Sequence, residues 1–200
     1  MLYIILKYLI GPLFWLFCRP IIYGRQNLRI SGKAILICNH QSMLDPIILA
    51  FITPRPIHFM AKKELFDGLL GKLFLKALYV FPVNRKNVDL QSLKSALSVL
   101  EKNKIFGIFP EGKRSITPNL DEFEKGAAFL AIRSGAPVVP IYMQPPVGKI
   151  RPIMMVGKPI DINAIVANSN KVAMVDVVAD ELADAIDALK TELGEIYWKF

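Results

Sequence analysis

The sequence predicts an α/β fold: a single mixed, largely parallel sheet covered by helices on both faces, with a hydrophobic helical segment at the N-terminus. Three observations predict it. Short apolar, β-branched runs alternate with helical patterns along most of the chain, the order that builds strand–helix–strand units. Several of those runs are apolar at every position, as strands buried on both faces are. Residues 1–23 are mostly apolar, interrupted by Lys7, Gly11-Pro12 and Arg19-Pro20.

In chain order, the N-terminal run comes first. A spanning helix needs roughly 20 predominantly apolar residues, and Pro12 should break or kink this one. The expectation is therefore two short segments lying in one leaflet, with Lys7 and Arg19 snorkelling and Tyr3, Tyr8 and Trp15 near the headgroups. One tilted span is the alternative. No small-residue cleavage site follows, which argues against a removable signal peptide. The chain thus divides into a membrane-anchoring segment, 1–23, and a catalytic or binding domain, 24–200.

Residues 24–28 read as a turn, and 28–30 as the start of an edge strand. Residues 34–38 (AILIC) form a buried strand. Pro46 opens a short helix over 47–52, with Asp45 placed to cap it. A second strand is expected over 55–60, a helical region from 62 to about 78, and an extended stretch over 79–83. Leu90, Leu93, Leu97 and Leu100 share one face of a helix over 90–102. Further strands follow at 105–109, 137–143 and within 149–157, with a helix over 123–133. A long amphipathic helix runs from 172 to about 198, apolar at Val175, Val178, Leu182, Ile186, Leu189, Leu193 and Ile196.

Two hundred residues suit one domain with a substantial core. Hydrophobic content is 53% and mean hydropathy +0.38, high for a freely soluble chain. The two cysteines, Cys18 and Cys38, make neither a disulfide framework nor a metal-ligand spacing, so a reducing compartment fits better. No metal or other cofactor is expected. Net charge is +8, yet residues 172–200 hold seven acids against two bases, leaving the rest strongly basic. Such a body suits nucleic acid, anionic lipid or an acidic carrier protein. Its lysines and arginines fall in no recognition-helix or RNA-binding pattern, and the greasy N-terminus favours anionic membrane lipids over nucleic acid.

Function in open α/β sheets gathers at strand ends. His40 leaves the end of a strand and Asp45 starts a helix, five residues on. Across that corner an Asp can accept the imidazole Nδ1–H and leave Nε2 as a base. The plain alternative is a satisfied polar His and a helix-capping Asp. After the 105–109 strand come Glu111, Gly112, Lys113 and Arg114, where Gly112 permits close backbone approach. Lys113 and Arg114 pair a point charge with a planar fork, a combination suited to a phosphate. Arg85 could supply a third cation. Solvated surface charge is the alternative for each. Cys38 or Ser42 as nucleophile is a further alternative, though an apolar surrounding raises a thiol's pKa. His58 has no carboxylate at useful spacing and reads as structural or interfacial.

Four blocks then resemble the glycerolipid acyltransferase family, the lysophosphatidate (1-acyl-sn-glycerol-3-phosphate) acyltransferases of phospholipid synthesis. They are N-H-Q-S-M-L-D at 39–45, F-P-V-N-R at 81–85, F-P-E-G-K-R-S at 109–115 and V-V-P-I at 138–141. Lysine at 113 is a departure, since the family often has Thr or Gly there. The resemblance covers roughly 24–145 and implies direct acyl transfer from an acyl thioester, of acyl-carrier protein or CoA, to the free hydroxyl of lysophosphatidic acid. It implies His40 as general base, Asp45 as its orienting partner, and Arg85, Glu111, Gly112 and Arg114 holding the acceptor. It places the chain at the cytoplasmic face of a membrane. Acylation of another lysophospholipid or of glycerol 3-phosphate, and a non-catalytic lipid-binding scaffold, stay open.

Overall fold

The computed structural model describes residues 2–84, 89–112, 114, 123–144, 151–167, 170 and 173–197. Its strands are β1 (Ile21–Tyr23), β2 (Ala34–Cys38), β3 (Ile57–Lys62), β4 (Val80–Val83), β5 (Ile105–Ile108), β6 (Val138–Gln144) and β7 (Ile153–Val156). Its helices are α1 (Leu2–Phe17), α2 (Asp45–Ile52), α3 (Leu69–Ala77), α4 (Leu90–Glu101), α5 (Lys125–Ser134), α6 (Ile162–Ala167) and α7 (Met174–Tyr197). The strands form one sheet in the order β1-β7-β6-β2-β5-β3-β4. The five from β6 to β4 are mutually parallel, and β7 runs antiparallel to β6 with β1 parallel to β7. The single mixed, largely parallel sheet expected from the sequence is the one present.

Every residue of β2 is buried, which is why its sequence carries no polar alternation. Ile35 and Ile37 face one core with Phe106 and Val138, covered by Leu100 of α4, Leu130 of α5 and Val178, Leu182, Ile186 and Leu193 of α7. Leu36 and Cys38 face the other core with Phe59, Ile105 and Ile141, covered by Ile48, Leu49 and Ile52 of α2. Burying each such aliphatic side chain stabilises by about 1.5–3 kcal/mol. The apolar stripe of α7 is therefore a core element. Gly107 sits between the layers because a Cβ there would lie 2.3 Å from the Phe59 ring. Its absence lets Phe59 lie over β5 and reach Phe109, with ring centroids 6.0 Å apart.

The N-terminus differs from expectation. Residues 2–17 form one continuous helix with Pro12 inside it. Proline there forgoes one helical hydrogen bond and crowds the carbonyl four residues back. Gly11, having no Cβ, removes only the further clash with the preceding side chain, and packing of α1 on α2 carries the rest. Nor do Tyr3 and Lys7 point away from the protein. Tyr3 is buried, its hydroxyl accepting from Ile57 N at 3.3 Å. Lys7 Nζ donates to the carbonyls of Ala50, Thr53 and Pro54 at the C-terminus of α2, where a cation is favoured. Trp15 lies under Arg25, 5.0 Å from its guanidinium carbon. Phe14 stacks on Phe51 at 4.7 Å, so α1 is docked on α2.

The expected edge strand at 28–30 is absent; 25–28 is a 3-10 turn. The edge strand is Ile21–Tyr23, paired with β7, which puts the last three residues of the proposed anchoring segment in the sheet. Strand β3 lies two residues later than expected, and the 62–78 helical region divides into a 3-10 turn, Lys63–Phe66, and α3. Helix α6 had no expectation; its six residues are too few for a periodicity to register.

Candidate active site

The C-terminal ends of the parallel strands share one edge, and there β2 and β5 are hydrogen-bonded neighbours with Ile37 opposite Ile108. Each strand then leaves the sheet, β2 into Asn39-His40 and β5 into Phe109-Pro110-Glu111-Gly112. The two loops therefore meet by construction.

Asp45 does not cap α2 as expected. It is the first residue of the helix, Leu44 holds the cap position, and no side chain caps there. The carboxylate turns back instead. Asp45 Oδ2 accepts from Gln41 N at 2.8 Å and from Ser42 N at 2.7 Å, and lies 3.0 Å from His40 Nδ1. A carboxylate only accepts, so the imidazole proton of this pair sits on Nδ1. Two backbone donors and a 2% exposure fix the carboxylate before it meets the ring.

The other side of His40 is held by residues far away in sequence. Glu111 is buried, and its Oε1 accepts the backbone N–H of His40 at 3.1 Å. Phe109 stacks on the imidazole with centroids 4.2 Å apart and planes at 26°. Asn39, also buried, bonds β6 both ways: its Nδ2 donates to Met143 O at 2.9 Å and its Oδ1 accepts Met143 N–H at 2.7 Å. That side chain continues the β2–β6 ladder one step past the strand.

Gly112 has φ of +64°, a left-handed conformation, and a Cβ there would come within 3.2 Å of Glu124. Arg114 is exposed. Arg85 and Lys113 lie outside the described residues. Cys38 is wholly buried, and burial, then the charges of Asp45 and Glu111, push its thiol well above the ordinary value. That environment suits an inert thiol. The Ser42 hydroxyl accepts Leu44 N–H at 3.2 Å within the loop. His58 stands apart, opposite Phe106 near the start of β5, and stacks on Tyr79 at 4.8 Å.

Asn39 and Phe109 were not singled out as functional from the sequence. Both lie inside the quoted blocks; what a linear reading lacks is the β2–β5–β6 register that sets them around His40. On the loop's outer side Met43, Leu44 and Ile47 are exposed, an apolar rim beside the histidine.

A family model described as acyltransferase matches residues 19–144. The 1-acyl-sn-glycerol-3-phosphate acyltransferase of Bacillus subtilis (strain 168) is 37% identical over 126 residues, 62% of this chain and 62% of that protein. The enzyme of the same name from Limnanthes alba is 37% identical over 138 residues, 66% of this chain and 48% of its own length. That from Streptococcus pneumoniae is 31% identical over 139 residues, 66% of this chain and 51% of its own. The matched stretch thus spans less than two thirds of each of these relatives. The crystal structure of the 1-acyl-sn-glycerophosphate acyltransferase PlsC from Thermotoga maritima superimposes with a TM-score of 0.70 over 92% of this chain and 78% of that one, at 22% identity. At that identity the likeness is one of fold.

Proposed function

The chain belongs to the acyltransferase family, and from that premise we propose that it transfers a fatty acyl group from an acyl thioester to the free hydroxyl of 1-acyl-sn-glycerol 3-phosphate, giving phosphatidic acid. The observation that carries the reading is the His40–Asp45 pair, 3.0 Å apart at a strand end. With Nδ1 directed at Asp45, Nε2 is the nitrogen that meets the acceptor. It takes the hydroxyl proton as the oxygen attacks the thioester carbonyl, the carbon–sulfur bond breaks, and the same proton goes to the leaving thiolate. Asp45 stabilises the imidazolium between these steps. No acyl-enzyme forms. The thioester, of acyl-carrier protein or CoA, is a co-substrate, and the reaction as written draws on no metal or prosthetic group.

The roles around the pair follow from position. Glu111 holds the His40 backbone, and Phe109 fixes the ring plane. Gly112 opens the loop for a ligand, and Arg114, with Lys113 and Arg85, supplies cations for the acceptor phosphate. The basic body favours an acidic donor carrier and anionic lipid alike.

The same reading places the chain on the cytoplasmic face of a membrane through its N-terminal helix. Ile4, Ile5, Tyr8, Leu9, Leu13, Leu16 and Phe17 of α1 are exposed. Sixteen residues make about 24 Å of helix, short of the roughly 30 Å hydrocarbon core. Among the described residues no helix is long and apolar enough to cross a membrane. An in-plane helix suits these facts.

The test is thiol release from acyl-CoA and from acyl-carrier protein with lysophosphatidate, comparing wild type with His40→Ala. Release by wild type and its loss in the folded variant is the expected result. Undiminished release in the variant would move the base elsewhere. No release with either donor would leave a lipid-binding scaffold.

A further inference from the structure

Helix α3 buries none of its residues, although it lies between two strands of the sheet. Leu70 is 83% exposed, Leu69 72%, Leu73 58% and Phe74 51%, and Leu65 on the preceding turn is 54% exposed. At 100° per residue, Leu69, Leu73, Ala77, Leu70 and Phe74 span an arc of about 140°, and Lys72 and Lys76 border it on the Leu69 side. Gly71 and Leu75 lie on the remaining side. Gly71 is turned inward, since a Cβ there would stand 3.2 Å from the Leu65 carbonyl. The helix thus presents its most apolar arc outward, while Gly71 and Leu75 are half-buried on the opposite side.

Its position on the molecule is set by topology. The β2–α2–β3 and β3–α3–β4 connections step the same way across the sheet. Right-handed crossovers then put α2 and α3 on one face. That face carries α1, docked on α2, and Tyr3 of α1 lies 5.4 Å from Tyr79, two residues beyond α3. The exposed apolar side of α1, the Met43-Leu44-Ile47 rim and α3 all belong to this side of the sheet.

We propose that α3 and the turn before it form a second lipid contact, lying in the plane of an anionic bilayer surface with Leu65, Leu69, Leu70, Leu73 and Phe74 among the acyl chains and Lys72 and Lys76 at the headgroups. Charge complementarity selects the occupant. Lys62, Lys63, Lys72 and Lys76 are all exposed beside the apolar arc, against the acids Glu64 and Asp67. Greasy arcs edged by lysine bind anionic lipid surfaces, each base near the surface strengthening the attraction. The contact deepens the membrane reading given for α1 but stands on different residues. It gives the body a second point of attachment on the face that carries α1.

An environment-sensitive fluorophore at Leu70→Cys, in the full chain with Cys18→Ser, reads α3 alone, because Cys38 is buried and escapes labelling. Flotation with vesicles of phosphatidylglycerol and phosphatidylcholine reads whole-chain binding in the same sample. The expected result is flotation with a blue shift at position 70, and on the order of tenfold weaker binding in Lys72→Glu/Lys76→Glu. Flotation without the shift overturns the α3 contact and leaves the α1 reading standing; no flotation overturns both. A shift that grows with protein concentration in the absence of vesicles assigns the surface to a second copy and overturns the lipid contact. An equal shift on pure phosphatidylcholine overturns the role of the lysines.

Discussion

Glu111 Oε1 accepts the backbone N–H of His40 at 3.1 Å, across the same 71-residue offset that sets Ile37 opposite Ile108 in the β2–β5 ladder. The carboxylate thus stands in for the next rung of a sheet whose strands have ended. Removing it leaves a partly buried amide without that acceptor and frees the loop that carries His40. Glu111→Ala should lower kcat about a hundredfold and cost about 1–3 kcal/mol of stability. Glu111→Gln keeps an acceptor oxygen and should retain most of kcat. If Gln and Ala instead fall together, with KM for the acceptor rising, Glu111 acts on the substrate and not through His40.

The Asp45 carboxylate gathers three donors on one oxygen, two of them backbone amides. In Asp45→Asn those amides should hold the amide oxygen in place, so the His40 tautomer survives while the charge that stabilises the imidazolium is lost. kcat should fall about a hundredfold with the thermal midpoint little changed, within the usual range for an assisted proton transfer. A loss matching that of His40→Ala would mean the amide has turned and fixed the wrong tautomer. Unchanged kcat would remove Asp45 from the mechanism.

Asn39 replaces one rung of the β2–β6 ladder with two buried side-chain hydrogen bonds to Met143. Asn39→Leu fits the apolar surroundings but strands the Met143 N–H and C=O. The expected cost is about 2–4 kcal/mol, a fall of roughly 5–15 °C in Tm for a chain of this size. Calorimetry of the purified variant measures it. An unchanged Tm would show that Met143 finds other partners.

Much of the architecture was legible because burial on both faces writes itself into a strand as an unbroken apolar run, as in β2 and β5. The His40–Asp45 meeting was legible because it is local, spanning one corner. Glu111 was assigned to the acceptor from its block, and its contact with His40 escaped because it depends on which strands are neighbours, a property no single block contains. Pro12 misled for a related reason. Proline forgoes one helical hydrogen bond and crowds the carbonyl four residues back. The docking of α1 on α2 through Lys7 and Phe14 offsets that local cost, and the docking is not written in the N-terminal run itself. The turning inward of Tyr3 and Lys7 was equally hidden, since the Ala50 carbonyl that receives both lies 47 and 43 positions on.

His58 offers a test of stability that does not touch the chemistry. It sits on β3 at the far end of the sheet from His40, stacked on Tyr79, and Lys104 lies near the same ring. Burial, then the Lys104 charge, pulls its pKa down from 6.5 to about 4. Between those values the unfolded chain holds a proton that the folded chain does not, so stability rises with pH across the window. The contribution is complete above about pH 6.5 and is lost as pH falls toward 4. His58→Phe keeps the ring stack and removes the titration. Urea unfolding at pH 7 and pH 4.5 should show wild type losing on the order of 1–2 kcal/mol more than the variant; carboxylate protonation, common to both, cancels. Parallel losses would mean that His58 takes up its proton without leaving its place. The pH dependence of kcat should be the same in both proteins, because His40, the proposed base, belongs to the opposite end of the strands.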